Sequence, residues 1–434
     1  MSVTGVQTCA LPIFVVTDWN EVGRAIEQVK PAAIIAAAEG VDFVTLSGLA
    51  KRAAARAPYL PLIAVDPATT LPDTVIAFFQ KKGLPDRLVA RLNASLRVRA
   101  LHATVMRRLV PPAPVALTDI DPVGEATTLL IGRGGAYPTL SVALGERAGV
   151  VGALSIEAAA KHLSNRDIDG IVLAEGFTPR VMDAFLTVLT EDVRFRPLPV
   201  IVTSGELTPR YELPNLEIVT AGPTRVADMA LPMIRQHAFE ARLGRMLKAI
   251  DAKGLIDPRT GLLTKAAFER DFATAVYHTA ERGGALSVAR FTFDNVQPRA
   301  QFDGARIISR LMRQADFGAV YDDRSLVVAF AGTDLRNAQA ITRRLASVMR
   351  HTQNGRRDVR AEPAVSVATL LPAQRSRPRN KLHGAYQLPR SLRGHRLHAK
   401  PPYLGGGSAR LVFKPSCVLW LRQLTDLRRR RIDN

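Results

Sequence analysis

Only two cysteines, Cys9 and Cys417, stand among 434 residues. Two thiols alone build neither a disulfide framework nor a zinc site, and such sparse cysteine fits a reducing compartment. The eight histidines help no more: His395 and His398 are too isolated to supply a metal's ligands. Long apolar runs are also missing. None reaches the ~18 uncharged residues of a membrane span. Residues 1–13 contain no Lys or Arg, which argues against a secretory signal with its positive start. That string reads as a leader foreign to the chain, joined to a shortened gene; a short ordinary strand is the alternative. Catalytic motifs are equally scarce. Ser204-Gly205 lacks the frame of a nucleophile elbow. Gly132-Arg133-Gly134-Gly135 follows an apolar run but has neither the full dinucleotide spacing nor the lysine of a phosphate loop, so it reads as a tight turn.

What is present is ordinary in bulk. The chain is 47% hydrophobic and 23% charged, as in globular proteins generally. It is long enough for two to four domains with cores of their own. The formal charge is +20, a balance that suggests nucleic acid or an anionic surface. Its distribution weakens that suggestion. From Arg375 to Asn434 there are 15 Lys or Arg against two Asp, so +13 of the +20 lies in this segment. Nucleic acid is therefore not an expected partner of the body, although Arg428–Arg431 could touch phosphates without sequence preference.

Periodicity divides the chain. Over residues 14–110, apolar runs at Phe14–Thr17, Ala32–Ala38, Leu60–Val65 and Thr74–Phe79 alternate with helical spacing at Asn20–Val29, Leu46–Ala57 and Asp86–Leu109. In the last of these Leu88, Leu92, Leu96, Val105 and Leu109 carry the period. Residues 111–126, opening on Pro111-Pro112-Ala113-Pro114, read as a linker. Over residues 127–236 five strands are expected, at Thr127–Ile131, Val150–Leu154, Gly170–Ala174, Leu198–Thr203 and Leu216–Val219. Helices are expected at Thr139–Arg147, Ile156–Leu163, Pro179–Leu189 and Thr224–Gln236, with only a turn in Gly205–Asn215. Buried strands alternating with helices imply parallel sheets covered on both faces. Residues 237–253 continue as a connector helix. Ile234, Phe239, Leu243, Leu247 and Ile250 suit a seam against a partner helix, or packing on the parent domain. Over residues 254–372, helices are expected at Lys265–Thr279, Ala305–Gln314 and Ala338–His351, and strands at Ala285–Phe293, Leu326–Phe330 and Ala364–Leu370. Residues 373–434, with Gly405-Gly406-Gly407 and the arginine run, lose all periodicity; they read as a frameshifted segment or a disordered basic tail.

Two strings carry a resemblance. One runs Asp257-Pro258-Arg259-Thr260-Gly261-Leu262-Leu263-Thr264-Lys265-Ala266-Ala267-Phe268. The other runs Tyr321-Asp322-Asp323-Arg324-Ser325-Leu326 through Gly332-Thr333-Asp334. Together they resemble the GGDEF domain of diguanylate cyclases. The two alternating regions before them resemble response-regulator receiver domains, the first lacking its opening strand and helix. The expected fold class is therefore α/β: two flavodoxin-like receiver units, the first truncated, then a GGDEF-type α/β domain and a disordered basic tail.

The resemblance also says what chemistry should be found, and much of it is not. A receiver needs a phospho-accepting carboxylate after its third strand, acidic neighbours for Mg2+, and a Lys and a hydroxyl that sense the phosphoryl group. The acceptor positions hold Ala37 and Ala174. Gly132-Arg133 replaces the second unit's acidic pair. Lys81 can match the sensing lysine of the first unit, where Asp66 replaces the hydroxyl; Thr203 can match the hydroxyl of the second, where Gly222 replaces the lysine. Glu39 and Glu175 lie nearby as solvated loop residues or as charge mimics. In a diguanylate cyclase, two signature glycines admit the nucleotide backbone-close and acidic residues hold two metals. Here the glycine positions are Asp322 and Asp323, the acidic positions are Arg324 and Ser325, and Leu326 follows. The strand Arg290–Asn295 offers Asp294 alone where a metal-binding acid pair is expected, and the guanine-binding segment is shortened to Gln297–Gly304. What survives is Arg313-Gln314-Ala315-Asp316. It fits the R-x-x-D of the inhibitory site, six residues ahead of Asp322, where Arg and Asp would bind cyclic di-GMP; a surface ion pair is the alternative.

The expectation is a cytoplasmic signalling protein of the cyclic di-GMP or two-component type without cyclase activity. It would act as a homodimer, through a partner such as a histidine kinase or another signalling protein, or by sensing cyclic di-GMP at Arg313 and Asp316. No cofactor is expected, with Mg2+ needed only by a working cyclase. The alternatives are a diguanylate cyclase that makes cyclic di-GMP from two GTP, and a nucleic-acid-binding regulator using the basic tail.

Overall fold

The computed structural model describes residues 15–68, 70–79, 85–109, 121–203, 211–282, 284–293, 298–350, 363–371 and 410–412. In chain order the first elements are α1 (Val22–Val29), β1 (Ile34–Ala37), α2 (Phe43–Ala54), β2 (Leu62–Val65), β3 (Val75–Phe78) and α3 (Pro85–Arg108). Next come α4 (Pro122–Glu125), β4 (Thr127–Ile131), α5 (Tyr137–Gly145), β5 (Gly149–Ala153), α6 (Ile156–Asn165) and β6 (Gly170–Leu173). They are followed by α7 (Pro179–Glu191), β7 (Val200–Val202), β8 (Leu216–Ile218) and α8 (Pro223–Asp251). The last group is α9 (Lys265–Arg282), β9 (Leu286–Thr292), α10 (Pro298–Leu311), β10 (Phe317–Asp322), β11 (Ser325–Ala331), α11 (Leu335–Met349), β12 (Ala364–Leu371) and β13 (Arg410–Val412). The chain forms two compact units, Met1–Val123 with Thr178–Glu240, and Gly124–Phe177 with Ala241–Asn434. Among the described residues no helix is long and apolar enough to cross a membrane.

In the first unit β1, β2 and β3 pair in parallel in that order, Ile34 opposite Leu62 and Leu62 opposite Val75. β2 and β3 are almost wholly buried, as continuous apolar strands of a covered parallel sheet should be. Asp42 caps α2 by accepting the Thr45 amide at 2.8 Å, a contact of the kind that stabilises a helix start by about 1 kcal/mol. β7 and β8 also pair in parallel, Val200 opposite Leu216. The inward face of α3 is not the expected leucine stripe. Arg91, Ser95, Val98, His102 and Val105 are the fully buried positions. Three of the five are polar, and each has a partner: Arg91 on Glu217 (2.8 Å), Ser95 on Gln236 (3.1 Å) and His102 Nδ1 on the Tyr59 amide (2.8 Å).

In the second unit β4 lies between β5 and β6, all parallel. The chain order reverses across β4, which makes a doubly wound arrangement with its switch point between β4 and β6. Separately, β9 sits between two antiparallel neighbours in the order β10-β11-β9-β12-β13. Its side chains alternate faces with the period of two that a strand imposes. Ala289 and Phe291 enter one core with Ile308, Leu326, Phe330 and Leu345. Leu286 and Val288 enter the other with Phe268, Phe272 and Val327.

Several expectations need correction. Residues 15–17 of the first apolar run form no strand, and Val16 is 96% exposed. The helix Thr224–Gln236 continues into the connector as expected, forming α8, which runs through Pro232. Its supposed partner seam is covered by this chain's own residues: Ile234, Phe239 and Leu243 are buried, and Phe239 meets the rings of Tyr59 and His102 edge-on. Helix α10 begins seven residues earlier than expected. The basic segment after residue 373, expected to lack structure, contributes β13, paired antiparallel with β12.

Candidate functional site

The switch point between β4 and β6 holds the receiver-type positions of the second unit. Ala174, at the acceptor position, is buried, and its amide donates to the Ile131 carbonyl at 2.7 Å. A Cβ on Gly132 would lie 2.8 Å from the Ala174 Cβ, so the turn after β4 closes on this spot only because Gly132 has none. The Arg133 amide donates to Glu175 at 2.9 Å, and its guanidinium lies 5.4 Å from the Phe177 ring centroid. Gly176 takes φ +107°, and a Cβ there would meet Arg133 at 2.9 Å. Close backbone contact thus fills the switch point between the turns after β4 and β6. In the other unit Ala37 ends β1 exposed, Glu39 is exposed, and Asp66 adopts φ +47° after β2. Lys81 lies outside the described residues.

The string Asp257–Phe268 serves the fold. The Asp257 carboxylate accepts from the Arg259 amide (3.0 Å) and the Thr260 hydroxyl (2.7 Å), and Gly261 closes the turn onto the Asp257 carbonyl (2.8 Å). That turn places Leu262 in the core and lets the Leu263 amide donate to Gly318 on the outer edge of β10. The D-x-x-T-G-L pattern is an Asx-type turn that covers an edge strand.

The signature positions fall on the β10–β11 hairpin. Asp322 pairs with Ser325 across a two-residue turn, Asp323-Arg324, and the register shifts between Val320 and Asp322. The Asp322 carboxylate holds the Arg290 guanidinium at 2.8 Å and accepts the Arg324 amide at 3.0 Å. Burial pushes this carboxyl up, but the Ser325 hydroxyl, the Arg324 amide and Arg290 outweigh it and hold it below the usual range. Ser325 and Leu326 are fully buried. The Phe293 amide donates to the Arg324 carbonyl (2.9 Å), and Gln301 on α10 donates to the carbonyls of Asp322 (2.6 Å) and Ser325 (3.3 Å). Asp294 lies outside the described residues. At this tip Arg324 is exposed, the Ser325 hydroxyl is buried, and the carboxylate of Asp322 is engaged by Arg290. Among the described residues no group of three or more His, Cys, Asp or Glu could hold a metal ion.

Arg313 and Asp316 flank a tight turn, in which the Asp316 amide donates to the Arg313 carbonyl at 3.0 Å. The Arg313 side chain is exposed and Asp316 is buried. Burial raises the Asp316 carboxyl, against hydrogen bonds from the Ala331 and Arg313 backbone. The charge of Arg313 also lowers it. The structure therefore puts the two on one turn, Arg313 exposed and Asp316 buried.

A charged cluster that periodicity does not reveal lies on α10. One face of this helix, with Ala305, Ile308 and Leu311, joins the core. A second face, Arg299, Asp303, Arg306 and Arg310 at helical steps, meets α4 and the α6–β6 turn. Arg306, 5% exposed, reaches Asp167 at 3.2 Å, Asp169 at 3.8 Å and the Glu125 carbonyl at 3.2 Å. Arg310 holds the other Asp167 oxygen at 2.8 Å and donates to the carbonyls of Leu163 (3.0 Å) and Ser164 (3.2 Å). Arg299 pairs with Asp303 at 3.4 Å and donates to the carbonyls of Gly124 and Ala126. Burial works against the charge on Arg306, yet Asp169, Asp167 and Asp303 more than offset it and raise its pKa. Asp303 is buried deeply enough that desolvation raises its carboxyl despite Arg299, Arg306 and Arg166.

No family model matches the chain, and no curated protein matches it. Solved structures similar to part of it include the GGDEF domain of DgcB from Caulobacter crescentus in complex with c-di-GMP: 17% identity over 26% of this chain and 73% of that one, TM-score 0.23. The GGDEF domain of FimX from Pseudomonas aeruginosa is similar at 18% identity over 28% of this chain and 83% of that one, TM-score 0.24. The diguanylate cyclase SiaD of the same organism, solved with its activator SiaC, is similar at 17% identity over 30% of this chain and 55% of that one, TM-score 0.24. These likenesses cover less than a third of the chain.

Proposed function

We propose that the chain is a signal-transduction protein whose GGDEF-type region has no cyclase activity and works by contact with a partner or ligand. The observation that carries this reading is the β10–β11 tip. Asp322 is tied to Arg290, Arg324 stands where a metal-binding acid is needed, and Ser325 is buried. A cation beside a site for two divalent metals raises the cost of binding them, and side chains at the glycine positions occupy the space of the nucleotide. Full-length protein incubated with GTP and Mg2+ or Mn2+ is expected to yield no cyclic di-GMP. Metal-dependent turnover would overturn the reading in favour of an active cyclase.

The doubly wound layer around β4 belongs to the same proposal as a receiver-like input that does without phosphorylation, since Ala174 cannot form an acyl phosphate. Cyclic di-GMP remains the ligand to test on the output side, because the Arg313 guanidinium is exposed and can fork onto phosphate or guanine. Calorimetry is expected to show binding to the wild type that Arg313→Ala removes. An absence of heat with the wild type leaves partner binding as the whole of the activity.

A further inference from the structure

We propose that α10 is a coupling helix that carries a displacement of the α6–β6 turn to the tip of the β10–β11 hairpin. Two sets of contacts on one rigid element support this, and neither involves a ligand. At one set, Asp167 bridges Arg306 and Arg310 through separate carboxylate oxygens, while Arg310 also donates to the last carbonyls of α6. At the other, Gln301 donates to Asp322 and Ser325 on either side of the turn. Arg306 and Gln301 lie five residues apart on an unbroken helix, so they move together. The polar contacts at the acidic end have fixed geometry: a carboxylate shared by two guanidiniums tolerates little sliding before a charge is left buried without its partner. At the hairpin end the turn residues Asp323 and Arg324 are exposed; on the β11 side the Arg290–Asp322 pair, the Phe293 amide and the ladder pairs Ser325–Thr292 and Leu326–Phe291 hold it to β9. Motion at Asp167 therefore has a path to the turn through α10 that does not run along the β9–β11 ladder. The proposal concerns the mechanics of this unit and stands whether or not the hairpin binds a nucleotide.

The test is amide hydrogen exchange on the full chain. Asp167→Ala is expected to speed exchange at residues 320–326 by about ten-fold relative to β9 and β12, in the range of a local opening. Arg310→Ala, at a partly exposed position, is the second probe should Asp167→Ala fail to fold, and the same selective change is expected. Gln301→Leu should free the hairpin while leaving protection of residues 163–169 as in the wild type. Asp167→Ala added to Gln301→Leu should then give no further increase at 320–326, as contacts in series require. Hairpin exchange that stays at the wild-type rate while 163–169 loosens would overturn the proposal. So would an equal rise across β9, β12 and the hairpin, or two effects that multiply in the double variant.

Discussion

Arg91 and Arg306 are both withdrawn from water, but they are held in different ways. Arg91 on α3 has one carboxylate, Glu217 at 2.8 Å, and otherwise donates to the carbonyls of Ala77, Leu216 and Pro214 at 2.8, 2.9 and 3.3 Å. Burial lowers its pKa, and Glu217 offsets only part of that. Arg306 faces three carboxylates, and they raise its pKa despite burial. In the first case a fixed cage of backbone dipoles solvates most of the cation, and its one carboxylate has only the longer contact to Arg87, 3.7 Å, besides. In the second, several side chains share the charge, and two of the three acids keep another base: Asp167 has Arg310, and Asp303 has Arg299 and Arg166, while Asp169 also accepts the Thr127 amide. A staple and a shared network should fail differently.

Removing the staple should cost most. Arg91→Met leaves Glu217, itself buried, with only the 3.7 Å contact to Arg87, and is expected to destabilise the first unit by about 3–5 kcal/mol, the range for breaking a buried pair from one side. Urea denaturation measures it. Arg91→Met combined with Glu217→Leu should recover much of the loss, since removing both charges is often close to neutral. Arg306→Met is expected to cost less, about 1–3 kcal/mol, because the remaining arginines take up its acids. Equal losses for the two single variants would erase the distinction.

His102 sharpens the same contrast through pH. Its Nδ1 accepts the Tyr59 amide, and burial, helped by the charge of Arg99, lowers its pKa to about 4. Tyr59 and Ser95, beside it, meet on Gln236. A histidine at ~6.5 when unfolded and lower when folded binds more protons in the unfolded chain. Its contribution is therefore complete above pH ~6.5 and declines as the pH falls toward the folded value, by about 1 kcal/mol between pH 6 and 5. Denaturation midpoints at several pH values should show this slope, and His102→Gln, which keeps an acceptor for Tyr59, should lose it.

Much of this architecture can be read before any coordinates. Thr127–Ile131 is a strand at the expected bounds because a strand buried on both faces is apolar at every position. The misses share one cause. Periodicity finds apolar faces, and the decisive faces here are polar. On α3 the leucines lie beside the deepest stripe, which carries Arg91, Ser95 and His102. On α10 the first two turns bury Arg299 and Asp303, so the expected start fell at Ala305. The cluster around Asp167 joins residues 139 and 143 positions apart, a distance no local pattern spans. The ion pair of Asp322 with Arg290 needs the sheet, since β11 lies between β9 and β10.

The smallest effect concerns the hairpin turn and bears on whether it is a damaged glycine turn or one built for side chains. Among described non-glycine residues, positive φ occurs at Lys30, Asp66 and Lys253, so neither Asp323 nor Arg324 adopts the left-handed backbone that favours glycine. A glycine here adds freedom to the unfolded chain and relieves no strain in the folded one. Asp323→Gly is therefore expected to destabilise by about 0.5–1 kcal/mol, read as a lower denaturation midpoint with an unchanged slope. A gain in stability would mean that the turn still calls for glycine. Under the proposed reading the pair Asp322→Gly and Asp323→Gly should also yield no cyclic di-GMP from GTP, because Arg324 and the buried Ser325 still stand where metal-binding acids would be required.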